Sequence, residues 1–122
     1  MSKILIVEDI PDNAELTSRV MSARGHEVFL APDAESGFEM ALADPPDLVL
    51  LDLGLPDHDG LTLAGWFRAE DTLSDIPIIA FTAWPPETAR QMAEMYGCNG
   101  FISKPIGGVR DFADKVESFL KK

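Results

Sequence analysis

The fold of this chain is set by the stretch Leu48-Val49-Leu50-Leu51-Asp52, in which four apolar residues run directly into a carboxylate. A short apolar run without polar alternation predicts a strand that is buried on both faces. The segment that follows, residues 53–60, is rich in glycine, proline and aspartate, which predicts a tight turn. The strand therefore ends by placing Asp52 at an edge of the sheet.

A second acidic strand end occurs near the N-terminus, where Ile4-Leu5-Ile6-Val7 runs into Glu8 and Asp9. If the two strands are parallel neighbours, their acids converge about 5 Å apart. Two unit charges near 4 Å repel each other by roughly 4 kcal/mol at an effective dielectric constant of 20. The pattern therefore predicts a cation beside Glu8, Asp9 and Asp52.

Five short apolar runs recur along the chain, at residues 3–7, 27–31, 48–51, 77–81 and 100–102, and each precedes a longer amphipathic segment. This alternation predicts a (βα)5 chain whose parallel sheet is covered on both faces. Helical spacing supports three of the helices through the stripes Ala34, Gly37, Phe38, Ala41 and Leu42; Ala89, Met92, Ala93 and Tyr96; and Val109, Phe112, Ala113, Val116, Phe119 and Leu120.

The first and third helices have shorter apolar patterns, formed by Leu16 and Val20 and by Leu61, Ala64, Trp66 and Phe67. Asp33 is predicted to cap the second helix, and Pro85-Pro86 to open the fourth. Right-handed crossovers favour a doubly wound sheet, for which the strand order 2-1-3-4-5 is common. The first and third strands are then neighbours at the topological switch point, so their acids share the crevice where open α/β sheets bind ligands.

Length and composition favour one domain that spans residues 1–122, with a hydrophobic content of 46% that suffices for a full core. The net charge of −11 opposes binding to nucleic acid and to anionic membrane surfaces. Cys98 is the single cysteine, which excludes an internal disulfide, and it is interpreted as a small core residue. Without a signal-peptide pattern or an apolar run of about 20 residues, we expect a cytoplasmic protein.

The predicted crevice combines groups that suit phosphoryl transfer. Three carboxylates without histidine or cysteine favour Mg2+, which prefers oxygen ligands. Thr82 ends the fourth strand and Lys104 follows the fifth, so a hydroxyl and an ammonium are expected at the same edge. These are the parts of a phosphoryl-transfer site, in which an aspartate can form an aspartyl-phosphate.

These features resemble the receiver domains of two-component response regulators, and the resemblance covers the whole chain. Its motifs are Glu8-Asp9, Asp52 with the Leu55-Pro56 and Asp59-Gly60 turn, Thr82-Ala83, and Lys104-Pro105. The chain most resembles stand-alone receivers of the chemotaxis and cell-cycle kinds, which have a flavodoxin-like (CheY-like) sheet.

The resemblance implies that Asp52 accepts a phosphoryl group from the phosphohistidine of a sensor histidine kinase or a histidine phosphotransfer protein. It implies that Glu8, Asp9, Asp52 and the backbone carbonyl of Gly54 hold Mg2+. Glu8 stands where many members carry aspartate. Gly54 and Trp84 lie at positions that influence the attacking water, so slow loss of the phosphoryl group is expected.

The resemblance also implies a switch, in which Lys104 pairs with the phosphoryl oxygens, Thr82 hydrogen-bonds one of them and Phe101 rotates inward. The altered surface is then read by a downstream target protein. Such a switch catalyses only its own phosphorylation and dephosphorylation, as a monomer or a phosphorylation-dependent dimer. A diffusible switch and a phosphorelay intermediate remain equally open.

Three alternatives share parts of this pattern. A flavin-binding electron carrier needs a phosphate-cradling first loop, which Glu8 and Asp9 oppose. A phosphatase of the haloacid dehalogenase kind needs a second acid two residues after the nucleophile, where Gly54 stands. A degenerate receiver that serves only as a scaffold is disfavoured because Asp52, Thr82 and Lys104 are all present.

Overall fold

Strands and helices alternate along the chain in the structure, a computed structural model that describes residues 2–57, 60–104 and 106–120. The strands are β1 (Lys3–Val7), β2 (Glu27–Ala31), β3 (Leu48–Leu51), β4 (Ile78–Thr82) and β5 (Gly100–Ser103). The helices are α1 (Pro11–Ala23), α2 (Ala34–Ala43), α3 (Gly60–Ala69), α4 (Pro86–Met95) and α5 (Val109–Glu117). The predicted (βα)5 chain is confirmed, with β4 displaced by one residue from the predicted 77–81 and β5 extended to Ser103.

All strand pairs are parallel, and the sheet has the predicted order β2-β1-β3-β4-β5. Successive residues of β1 point to opposite faces, as the pleat requires. Ile4 and Ile6 join a core with residues of α1 and α5, whereas Leu5 and Val7 join one with residues of α2 and α3. Two-sided burial explains why each central strand contains an uninterrupted run of four apolar residues.

Two helix starts follow the predicted chemistry. The Asp33 carboxylate accepts a hydrogen bond from the Ser36 N–H at 2.8 Å and caps α2. Pro86 is the first residue of α4, where its missing N–H costs no helical hydrogen bond. The prediction that Tyr96 belongs to the core stripe of α4 is wrong, because the helix ends at Met95 and Tyr96 is 44% exposed at its C-cap.

Three other stripe residues, Leu16, Leu42 and Val109, are exposed rather than buried. In α1 the core-facing position is taken by Thr17, which is 2% exposed. The Thr17 hydroxyl donates to the Asn13 carbonyl oxygen at 2.9 Å, so a polar residue can be buried there with its hydrogen bond satisfied.

Arg68, near the end of α3, joins the segments that lead into β4 and β5. Its guanidinium donates to the carbonyl oxygens of Gly97, Ser74 and Ile76 at 2.8–3.0 Å and to Asn99 Oδ1 at 2.8 Å. Asn99 Oδ1 also accepts from the first amide of β4, at 2.8 Å. One planar cation therefore fixes the amino ends of two neighbouring strands.

Cys98 lies in the same region and is half-buried against the core, in line with its interpretation as a small core residue. Burial raises the pKa of the Cys98 thiol to about 11, and the neighbouring Arg68 opposes that rise only in part. Within the described ranges, no helix is both long and apolar enough to cross a bilayer.

Candidate functional site

The pairing of β1 with β3 brings the two acidic strand ends together. Val7 lies opposite Leu51 in the register, and the Asp52 N–H donates to the Val7 carbonyl oxygen at 2.9 Å. Carboxylate oxygens of Glu8, Asp9 and Asp52 lie within 4.8 Å of one another. The predicted convergence of these acids is confirmed.

Lys104 reaches this carboxylate cluster from the end of β5. Its Nζ lies 2.5 Å from Glu8 Oε1 and 3.5 Å from Asp52 Oδ2. The Lys104 backbone N–H donates to the Thr82 carbonyl oxygen at 2.8 Å, which extends the β4–β5 ladder past the strand end. The ladder thus directs the ammonium to the predicted edge, where it supplies one of the positive charges that the acids require.

Glu8 is the most deeply buried member of the cluster. Its Oε2 atom is buried and accepts no hydrogen bond from any residue that the structure describes. Burial, reinforced by the neighbouring Asp52 carboxylate, raises the pKa of Glu8 to about 7 even though Lys104 favours the charged form. One ammonium therefore compensates only part of the negative charge gathered here.

A divalent cation fits these residues. Buried polar atoms are normally paired, so the unpaired Glu8 Oε2 points to a further partner at the cluster. Carboxylate oxygens from three residues form a hard donor set, which suits Mg2+ better than a transition metal. Glu8, Asp9 and Asp52 are the residues that would hold it.

Thr82 lies at the end of β4 and is only 2% exposed. Its Oγ1 accepts a hydrogen bond from the Trp84 backbone N–H at 3.1 Å. The Trp84 side chain is half-buried and packs against the core that includes residues of α2 and α3. Thr82 and Lys104 are neighbours at the ends of β4 and β5, where the Lys104 N–H donates to the Thr82 carbonyl oxygen. The Trp84 N–H orients the Thr82 hydroxyl.

Gly54 and Phe101 occupy different positions around the cluster. The Gly54 N–H donates to Asp52 Oδ1 at 3.1 Å, and Gly54 is exposed. Phe101 is half-buried in β5, away from the carboxylate contacts, with Lys115 Nζ 5.8 Å from its ring centroid. Gly54 thus contacts the predicted acceptor directly, whereas Phe101 lies in β5, which β4 separates from the strand that ends at Asp52.

Two close contacts of the segment that follows Asp52 were not predicted from the sequence, although Gly60 belongs to a quoted motif. A Cβ atom on Gly60 would lie 2.4 Å from the Asp52 carbonyl oxygen, so α3 begins directly against the backbone of Asp52. Asp57 accepts hydrogen bonds from the Ala34 N–H at 2.9 Å and the Glu35 N–H at 3.0 Å. The Asp59-Gly60 turn gave a weak signal for the first contact, and nothing local indicated the second.

The motif residues Asp59 and Pro105, together with His58, lie outside the described residues. The remaining predicted site residues, apart from Phe101 within β5, come from four strand ends and one loop of the same sheet edge. The site thus combines an acidic cluster with a lysine and a buried threonine at the carboxyl edge of the sheet.

Residues 4–117 match the family model of the response regulator receiver domain. The chain belongs to the response regulator receiver family. As a receiver, it is a component of two-component signalling. The match covers every predicted site residue from Glu8 to Lys104.

Known receivers resemble this one over almost its whole length. The polar-differentiation response regulator DivK of Brucella anthropi is 33% identical over 117 residues, which cover 96% of this chain and 94% of DivK. A putative response regulator from Chloroflexus aurantiacus superposes with a TM-score of 0.91 at 27% identity, covering 97% and 96% of the two chains.

The receiver domain of the sensor histidine kinase PA1611 from Pseudomonas aeruginosa superposes with a TM-score of 0.88 at 27% identity. The superposition covers 97% of this chain and 96% of that one. In that structure a magnesium ion is coordinated in the active-site cleft.

Proposed function

We propose that this receiver accepts a phosphoryl group on Asp52 from a phosphohistidine, with Mg2+ bound by Glu8, Asp9, Asp52 and the Gly54 carbonyl. The observation that supports this most directly is the meeting of three carboxylates with Lys104 at the carboxyl ends of β1 and β3. When bound, Mg2+ supplies the positive charge that brings phosphoryl oxygens to this acidic edge.

In the transfer, an Asp52 oxygen forms a new bond to phosphorus while the nitrogen–phosphorus bond of phosphohistidine breaks. The imidazole leaves with the bonding electron pair and takes up a proton. The Gly54 N–H orients one Asp52 oxygen at 3.1 Å, and Lys104 lies 3.5 Å from the other. Lys104 can then pair with the phosphoryl oxygens, which lowers the repulsion that they add to the site.

The switch begins at Thr82. Its hydroxyl accepts a hydrogen bond from Trp84, so its own proton can be donated to a phosphoryl oxygen. The new group adds a charge of about −1.5 to −2, enough to bias two states that differ by a few kcal/mol. Phe101, in the adjoining strand and beside Lys115, is the side chain proposed to rotate with Thr82.

The proposed donor is a sensor histidine kinase or a histidine phosphotransfer protein, and the proposed reader is a downstream target protein. A cytoplasmic location belongs to the same proposal, because the single cysteine is a free thiol and the net charge of −11 opposes anionic membrane surfaces. The activity remains that of a switch that acts on its own aspartate.

Incubation with Mg2+ and acetyl phosphate, followed by intact-mass measurement, tests this function. Wild type is expected to gain the mass of one phosphoryl group, Asp52→Asn to gain none, and the exposed control Asp75→Asn to behave as wild type. An adduct that persists in Asp52→Asn would place the chemistry elsewhere. A folded wild type without any adduct would favour the scaffold alternative.

A further inference from the structure

A groove of about 400 Å³ runs between α2 and α3, apart from the residues of the carboxylate cluster. Its lining residues are Glu35, Phe38, Glu39, Trp66, Ala69 and Glu70. The first three belong to α2, and Trp66 and Ala69 belong to α3. None of them has a part in the phosphoryl-transfer site, so the groove is a separate feature of the molecule.

The floor of the groove is aromatic. The rings of Phe38 and Trp66 lie 5.5 Å apart between centroids, with an angle of 57° between their planes. Phe38 also lies 6.0 Å from the fully buried ring of Phe67, which supports the floor from the core side. Half-buried aromatic rings held in this way offer a fixed surface on which a planar or cationic group can stack.

The rim of the groove is acidic. Glu35 and Glu39 are four residues apart on one face of α2, an arrangement of like charges that mildly destabilises an isolated helix. Glu70 follows Trp66 by four residues on the other side. In the described part of the chain, these three carboxylates form no ion pair with a lysine or arginine.

The negative charge of the rim is not neutralised by a lysine or arginine of α2 or α3. α2 contains neither lysine nor arginine, and the guanidinium of Arg68 in α3 is bound to the segments before β4 and β5. The groove therefore combines stacking surfaces with uncompensated carboxylates. Nucleic acid and anionic lipid do not match this chemistry, whereas a cationic side chain matches both of its parts.

We propose that the groove is a docking site for an arginine-bearing segment of a partner protein. The guanidinium stacks on the Phe38–Trp66 floor and pairs with carboxylates of the rim. Arginine fits better than lysine, because its planar group can stack on a ring and pair with a carboxylate through two hydrogen bonds at once. This docking does not require phosphorylation of Asp52.

The test uses the full chain with Trp84→Phe, which leaves Trp66 as the only tryptophan. The probe is an acetylated, amidated peptide of alternating alanine and arginine. We expect a saturable change in Trp66 fluorescence with the arginine peptide and none with the matched citrulline peptide, which has the same shape without the charge. Equal binding of both peptides, or no saturable signal, would overturn the proposal.

A charge-matched pair of variants separates the groove from general attraction to an acidic protein. The Glu35→Gln/Glu39→Gln double variant is expected to weaken peptide binding by about three- to tenfold. Glu87→Gln/Glu94→Gln removes the same charge from exposed positions of α4 and is expected to leave the affinity unchanged. If both pairs weaken binding equally, the signal reflects only the net charge of −11 and the groove has no specific role.

Discussion

Gly60 and Gly65 lie in the same helix, α3, but only Gly65 has space for a side chain. A Cβ on Gly60 would lie 2.4 Å from the Asp52 carbonyl oxygen and 2.9 Å from the Leu53 Cα, and neither backbone atom can move alone. A Cβ on Gly65 would meet no atom within 4 Å. We expect Gly60→Ala to destabilise the protein by about 1–3 kcal/mol, as overpacking does.

Gly65→Ala is the matched control, since alanine at an exposed helix position is favoured over glycine by about 0.5–1 kcal/mol. Urea unfolding of both variants measures the difference, and the expected effects have opposite signs. Equal stability of the two variants would show that α3 can move away from Asp52 without cost.

Single residues differ in how much of their role the sequence reveals. Glu8, Asp52 and Lys104 stand at or directly after strand ends, and parallel pairing brings such positions to one edge, so their meeting was predictable. The contact of Gly60 with Asp52 depends on the exact entry of α3, which local patterns do not define. The roles of Gly54 as a metal ligand and of Phe101 as a switch stay predictions.

At the scale of elements, two acids hold the start of α2 in different ways. Asp33 caps the helix through the Ser36 N–H, whereas Asp57 reaches the two preceding amides from the loop that follows Asp52. Only Asp57 therefore connects helix α2 with the segment that contains Gly54.

We expect Asp33→Ala and Asp57→Ala each to lower stability, by about 0.5–2 kcal/mol, because both leave helix amides unpaired. Only Asp57→Ala should also weaken Mg2+ binding, since it releases the loop beside Asp52. Isothermal titration of the metal into both variants measures this difference. Equal Mg2+ affinity in the two variants would reduce Asp57 to an ordinary helix cap.

Strands were easier to predict than helix faces. A parallel strand buried on both sides needs only an unbroken apolar run, which chain composition displays directly. The inward face of α1 instead includes Thr17, whose hydroxyl is satisfied inside the helix, and leaves Leu16 outside. A hydropathy pattern alone predicts that Leu16 is buried and Thr17 is exposed. It does not account for the hydrogen bond that the Thr17 hydroxyl makes to the helix backbone.

At the scale of the whole molecule, the net charge of −11 opposes compaction through self-repulsion. Any salt weakens this repulsion by screening, whereas the proposed metal also stabilises the folded state by binding to it. Mg2+ at ten times its dissociation constant is expected to stabilise the fold by about 1.4 kcal/mol. For a chain of this size, that gain raises the melting temperature by about 5 °C.

Calorimetry in MgCl2 and in NaCl of equal ionic strength distinguishes the two effects. In wild type, MgCl2 should raise the melting temperature more than NaCl does. This difference between the two salts should be smaller in Asp52→Asn. An identical rise of the melting temperature in both salts would mean that the carboxylate cluster does not bind Mg2+ specifically.

The hydrogen bonds of Arg68 give the two ends of β4 and β5 unequal freedom. The amino ends are joined to each other and to α3, while Thr82 and Lys104 lie at the opposite ends. In the proposed switch, a displacement of Thr82 or Lys104 would therefore pivot about the fixed amino ends of β4 and β5 and pass to the segments that lead into α4 and α5. The Arg68 contacts would then hold the sheet in place while α4 and α5 respond to the phosphoryl group.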